Sequence, residues 1–165
     1  PASAQPVPAG YQQVARAMGV PPGLLYAVAL TESGQSALSG GEFRPWPWAL
    51  NIDGHGHFYP TRQHAWEALQ VALTQGQTSV DIGLMQISWR YHQRSLGSTW
   101  QTLDPYHNLQ VAAAILRACF AQHSAWLPSA GCYHAPHDAE RAQRYRERVE
   151  ARWAQLTPTA IEVGP

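Results

Sequence analysis

Apolar and polar positions along this chain fall into blocks with helical spacing, separated by runs of Gly, Ser and Pro. Val14, Ala15 and Met18 share one face of a helix predicted from Tyr11 to Met18, which Gly19 stops. Pro21 and Pro22 open the next helix, because a first turn has no intrahelical partner for the N–H that proline lacks. From Leu24 it reads Leu-Leu-Tyr-Ala-Val-Ala-Leu-Thr-Glu-Ser, apolar nearly all the way round, as in a buried helix, and Gly34 ends it. A loop rich in Ser, Gly and Pro runs on to Pro47. Aromatic and branched residues flanking Asp53-Gly54-His55-Gly56 predict a β-hairpin over Trp46 to Tyr59. Two strands alone are marginal, so the hairpin must pack on helices. Thr61 caps a helix from about Arg62 to Gln75, with Trp66, Leu69 and Leu73 on one face and Gly76 as the stop. Asp104-Pro105 starts a long helix through Ala112, Ile115, Leu116 and Phe120, and a shorter segment covers Trp126 to Tyr133. Asp138 caps a last helix to about Leu156. Tyr145, Val149 and Trp153 form its buried stripe, and pairs such as Glu140–Arg144 and Arg146–Glu150 form a solvated face. The expected fold is mainly α with one small hairpin. It is read as one domain over residues 10–156, between a flexible tail at 1–9 and a second tail at 157–165.

Length and charge narrow this picture. At 165 residues the chain can bury about two-thirds of its unfolded surface without a metal or disulfide framework. Its formal net charge is zero, which argues against a nucleic-acid partner held by a basic surface. No run approaches the roughly 18 apolar residues of a membrane span. The first ten residues resemble what remains after a signal peptide is removed, or a linker, and no signal-peptide core lies within them. Cys119 and Cys132 fit either one disulfide in an oxidising compartment or two buried thiols. Seven Trp and seven Tyr supply core, and also suit a cleft that stacks on sugar rings.

Candidate chemistry centres on Glu32, the only charged residue between Arg16 and Glu42. It falls in the last turn of the apolar helix, near the negative end of the helix dipole. Apolar neighbours and backbone carbonyls both disfavour ionisation, so its pKa is expected to be raised. A glutamate that keeps its proton near neutral pH can act as a general acid. A hydrogen-bonded structural Glu at a helix end is the competing reading. Metal chemistry has no signature: His55, His57 and His64, or His134 and His137, lack partners at zinc-site spacings, and the hairpin pair reads as exposed surface. Nor is there a nucleophile elbow for serine chemistry.

Three segments stand in order: Glu32-Ser33 at a helix end, Gly83-Leu84-Met85-Gln86-Ile87 about fifty residues on, and Tyr133 after a long helix carrying Asn108. This order resembles the catalytic domain of lytic transglycosylases of the soluble-lytic-transglycosylase type, the lysozyme-like enzymes that cut bacterial peptidoglycan. The resemblance covers about Gly10 to Trp153. It departs from the family pattern at Cys132-Tyr133-His134-Ala135-Pro136, where Ala-Tyr-Asn-Ala-Gly is usual. The resemblance implies a lysozyme-like helical domain, with Glu32 as the single catalytic residue, first acid and then base. It also implies that Ser33 and Gln86 position the substrate or Glu32, that Met85 and Tyr133 line the cleft, and that Asn108 helps hold the site. The product would be a 1,6-anhydromuramoyl end. No cofactor and no metal are implied, the partner is the peptidoglycan glycan strand, and the location is periplasmic. Trp46-Pro47-Trp48-Ala49-Leu50-Asn51 further resembles a branch found with conjugation and secretion systems, which makes such an apparatus an expected partner.

A conventional glycosidase needs a second carboxylate. Among Glu42, Asp53, Glu67 and Asp81, Asp81 lies nearest the Gly-Leu-Met-Gln motif and is read as a helix cap first and a catalytic group second. The rival readings are a muramidase of goose-lysozyme type and an inactive wall-binding or assembly module of a secretion machine.

Overall fold

The structure is a computed structural model that describes residues 3–159. Among them are eight helices and six short strands. The chain forms two compact units, Pro1–Thr31 with Ala113–Pro165, and Glu32–Ala112.

In the first unit, α1 (Ala9–Met18) ends at Gly19, whose φ of 69° supplies the left-handed cap expected from sequence. The apolar helix is α2 (Pro22–Ser33), of which Pro22–Thr31 belong to this unit, and Leu24 to Leu30 are buried without interruption. The long helix is α6 (Pro105–His123), which belongs to this unit from Ala113 onward, followed by α7 (Trp126–His134) and α8 (Ala139–Ala154). Asp138 caps α8 by accepting the Arg141 N–H, and Tyr145 and Val149 form its buried stripe. The Glu140–Arg144 pair of the solvated face closes to 3.8 Å. A Cβ at Gly131 would stand 2.9 Å from the Ala142 carbonyl oxygen, so the approach of α7 to α8 requires glycine there. A disulfide joins Cys119 on α6 to Cys132 on α7. Of the two expected tails, 1–2 and 160–165 lie outside the described residues. Gln5 exchanges backbone hydrogen bonds with Gln155 and Thr157, and Val7 is buried.

In the second unit, β1 (Gly34–Gln35) and β2 (Arg44–Pro45) close the loop that follows α2. The expected hairpin is β3 (Ala49–Ile52) and β4 (His55–Phe58). Asp53 and Gly54 both have positive φ, 49° and 86°, the mirror-image turn that matches strand twist. His55 and His57 are exposed, as their sequence setting implied.

The hairpin does not stand alone. Strands β5 (Val80–Ile82) and β6 (Ile87–Ser88) extend it to a four-stranded antiparallel sheet in the order β4-β3-β5-β6. Helix α3 (Arg62–Thr74), capped by Thr61, packs on one face. Its Ala65 and Leu69 cluster with Leu50, Val80, Ile82 and Leu103. Two short helices, α4 (Trp89–Leu96) and α5 (Thr99–Thr102), complete the unit and have no counterpart in the sequence reading. The expectation that Asp81 caps a helix is corrected here. It lies in mid-strand between two core residues, and side-chain alternation turns it to the face opposite α3.

Candidate functional site

Glu32 occupies the last turn of α2 and is half-buried. The next residue, Ser33, is 1% exposed, and its hydroxyl donates to the Leu84 carbonyl at 2.6 Å. The same oxygen accepts the Trp46 N–H at 3.2 Å, and the Ser33 carbonyl accepts it too, at 3.0 Å. Glu32 therefore sits beside an anchor. The C-terminal end of its helix is tied to the β5–β6 turn and to the segment entering β3.

That turn is Gly83-Leu84-Met85-Gln86, and its shape depends on two left-handed residues. Gly83 has a φ of 82°, and a Cβ there would meet Asn108 Nδ2 at 2.6 Å. Conformation and space both favour glycine here over any residue with a side chain. Gln86 has a φ of 50°, which is unusual for a residue with a side chain. Its amide nitrogen donates to the carbonyls of Gly83, at 2.9 Å, and Ala49, at 3.1 Å, locking the turn to β3.

Asn108 lies in the second turn of α6, which Asp104 caps by accepting the His107 N–H. It is fully buried, and its amide makes three hydrogen bonds. Oδ1 accepts the Met85 N–H at 2.8 Å, and Nδ2 donates to the carbonyls of Ile82 and Thr102, each at 3.0 Å. A buried amide with this satisfaction fixes the turn as firmly as a ladder hydrogen bond would. Met85 itself is completely buried.

Five of the six residues singled out from sequence thus meet in one constellation. Glu32, Ser33, Met85, Gln86 and Asn108 are joined through the β5–β6 turn. The sixth, Tyr133, belongs to the first unit, where it is half-buried near the end of α7. It stands between disulfide-bonded Cys132 and His134, whose ring stacks on Tyr145 with centroids 4.2 Å apart and planes within 5°. Burial, and then the charges of Arg141 and Arg148, lower the His134 pKa below the usual histidine value. His134 is therefore neutral at pH 7.

The sequence reading quoted Gly83 and Trp46 within its motifs without giving either a role in the site, and it missed the carbonyls of Leu84 and Ala49. Gly83 carried a usable signal, since a glycine directly after a strand-like Val-Asp-Ile points to positive φ or close approach. The backbone partners carried none.

The second unit holds six carboxylates: Glu32, Glu42, Asp53, Glu67, Asp81 and Asp104. Glu42, Asp53 and Glu67 are exposed, and Asp104 caps α6. Glu32 and Asp81 remain, both half-buried. A groove of about 610 Å³ lies on the α3 side, lined by Ile52, Tyr59, His64, Ala68 and Val71 among others. It contains none of the motif residues, so concavity alone does not mark the chemistry here.

The family model for the transglycosylase SLT domain matches residues 11–155, and the chain belongs to that family of lysozyme-like lytic transglycosylases. Searches of curated proteins and of solved structures found no match.

Proposed function

We propose that this member of the transglycosylase SLT family cleaves the β-1,4 bond between N-acetylmuramic acid and N-acetylglucosamine, with Glu32 as its acid and then its base. One observation carries the reading: the Ser33 hydroxyl on the Leu84 carbonyl, which ties the helix end bearing Glu32 to the Gly-Leu-Met-Gln turn. The bond spans 51 positions of sequence and joins the two motifs that the family resemblance singled out.

In this reading the Glu32 carboxyl donates its proton to the glycosidic oxygen as the C1–O4 bond breaks, and the N-acetyl group of the muramoyl residue assists at C1. The muramoyl C6 hydroxyl then attacks C1 and returns its proton to Glu32. The enzyme is restored, and the product carries a 1,6-anhydro end. No water enters. Ser33, Gln86 and Asn108 act through the backbone they hold, keeping Glu32 placed relative to the turn, while buried Met85 supports the turn from inside. The Cys119–Cys132 disulfide supports a periplasmic location, because such bonds persist in oxidising compartments. Recruitment by a conjugation or secretion apparatus follows only from the likeness of the Trp-Pro-Trp-Ala-Leu-Asn stretch, and belongs to the same proposal.

The test is digestion of purified peptidoglycan by the wild type and by Glu32→Gln, with the released fragments identified by mass spectrometry. Anhydro-ended muropeptides from the first and none from the second are expected. Reducing ends would move the assignment to a muramidase, and binding without release by the wild type would move it to a wall-binding module.

A further inference from the structure

The last helix of the first unit sorts its charges. Of the charged side chains on α8, five are arginine and three glutamate. At about 100° per residue, Arg144, Arg148, Arg141 and Arg152 fall within an arc of about 80°, along one edge of the buried Tyr145–Val149 stripe. Glu150, Glu147 and Glu140 fall within a separate arc of about 80°. A face that is merely solvated gains from opposite signs four residues apart. Among the described residues, Glu140–Arg144 is the one such pair that closes.

Arg141 and Arg148 remain on the arginine flank. Both are exposed, and among the described residues neither forms an ion pair. The carboxylates nearest in sequence are engaged elsewhere. Asp138 accepts the Arg141 backbone N–H as the cap, Glu140 pairs with Arg144, and Glu147 accepts from the Gln143 amide. Arg141 also stands in the first turn of α8, where the helix dipole disfavours a cation. Two turns of helix, about 10.5 Å, separate it from Arg148, with Tyr145 between them. His134, stacked on Tyr145, feels both charges, which follow burial in lowering its pKa. The positive field of this flank therefore reaches the end of α7, and the fold gains nothing from it.

A guanidinium fork matches a carboxylate. The polymer proposed above as substrate offers that group: its sugars are uncharged where a stem peptide is attached, and the peptides carry free carboxylates. About three extended residues span the distance between the two arginines. Resting on the peptidoglycan substrate of that reading, we infer that Arg141 and Arg148 bind carboxylates of a stem peptide, and that this flank of α8 holds the enzyme on peptide-bearing wall. Both arginines belong to the first unit, whereas Glu32 and the motif turn belong to the second. The role is binding only, and no bond changes there.

The experiment measures sedimentation of the full chain with purified peptidoglycan, in a Glu32→Gln background that leaves the wall uncut. The wall is offered intact, with its carboxyl groups converted to amides, or stripped of peptides by an amidase, which leaves a lactyl carboxylate on each muramoyl residue. Thermal melts accompany each variant. Arg141→Gln/Arg148→Gln is expected to raise the Kd for intact wall at least about fivefold, while the charge-matched Arg16→Gln/Arg117→Gln leaves it within about twofold. The parent chain should bind amide wall and stripped wall as weakly as the Arg141/Arg148 variant binds intact wall. Equal affinity of the parent for intact wall and either treated wall overturns the inference, as does an equal loss in the charge-matched control. Binding to phosphatidylglycerol vesicles that the Arg141/Arg148 variant loses, with wall binding unchanged, would move the flank to a membrane surface and overturn it too. If that variant does not melt cooperatively, the three walls with the parent chain decide. Anhydro-product release by the wild type is measured in parallel. Its absence refutes the proposed reaction, whereas sedimentation needs no turnover and judges the inference by itself.

Discussion

Replacing Asn108 tests the construction of the site most directly. Its side chain is 0% exposed and holds one backbone N–H and two backbone carbonyls. Asn108→Ala removes three hydrogen bonds worth about 1 kcal/mol each, and burying the Met85 N–H without a partner adds about 1–3 kcal/mol. The carbonyls keep a second lone pair for other donors, so the expected loss is about 4 kcal/mol. For a chain of this size that corresponds to a fall in Tm of about 8–16 °C. Asn108→Asp is the sharper probe. Its second oxygen faces the carbonyls of Ile82 and Thr102, where only a protonated carboxyl can donate. Burial and those carbonyls would raise the introduced carboxyl's folded pKa above its unfolded value near 3.9. The folded state then binds more protons than the unfolded one, so stability falls as pH rises from about 4. Urea unfolding of the wild type and both variants between pH 4 and 8 is the assay. A loss under about 1 kcal/mol for Asn108→Ala, or an Asn108→Asp profile parallel to the wild type, would refute the role given to this amide.

Gly83→Ala is expected to cost about 2–4 kcal/mol from positive φ and the clash with Asn108, and less in an Asn108→Ala background, where the clash is gone; a double-mutant cycle by urea unfolding shows the coupling. Reducing the Cys119–Cys132 bond, whose partners are 13 residues apart, should destabilise the fold by about 3 kcal/mol, read as the difference between wild-type and Cys119→Ser melts in the absence of reductant. His134 has a lowered folded pKa, so the unfolded chain binds the extra proton first. The resulting stability is present above about pH 6.5 and is lost as pH falls through that value towards the folded pKa. His134→Asn should therefore flatten the melting temperature between pH 7 and 5 relative to the wild type, and identical slopes would refute the shift.

Local signals were enough wherever one stretch of chain decides its own shape. Thr61, Asp138 and Asp104-Pro105 mark helix starts because a cap satisfies N–H groups two or three residues away. Asp53-Gly54 marks the hairpin because those two residues tolerate positive φ. Glu32 was legible for the same reason, as the one charge on an otherwise apolar helix whose end Gly34 announces. Tertiary structure alone decided the rest. Strand β5 has three residues and β6 two, too few to display a period, and they exist as strands because β3 is there to pair with β5, and β5 with β6. That pairing moved Asp81 from an expected helix cap to the middle of a strand. Ser33 on Leu84, Gln86 on Ala49 and Asn108 on Met85 span 51, 37 and 23 positions, and each ends on a backbone atom that every residue type carries. No side-chain pattern can announce such a partner, so the sequence nominates the residues of this candidate site while only the folded chain says what each one holds.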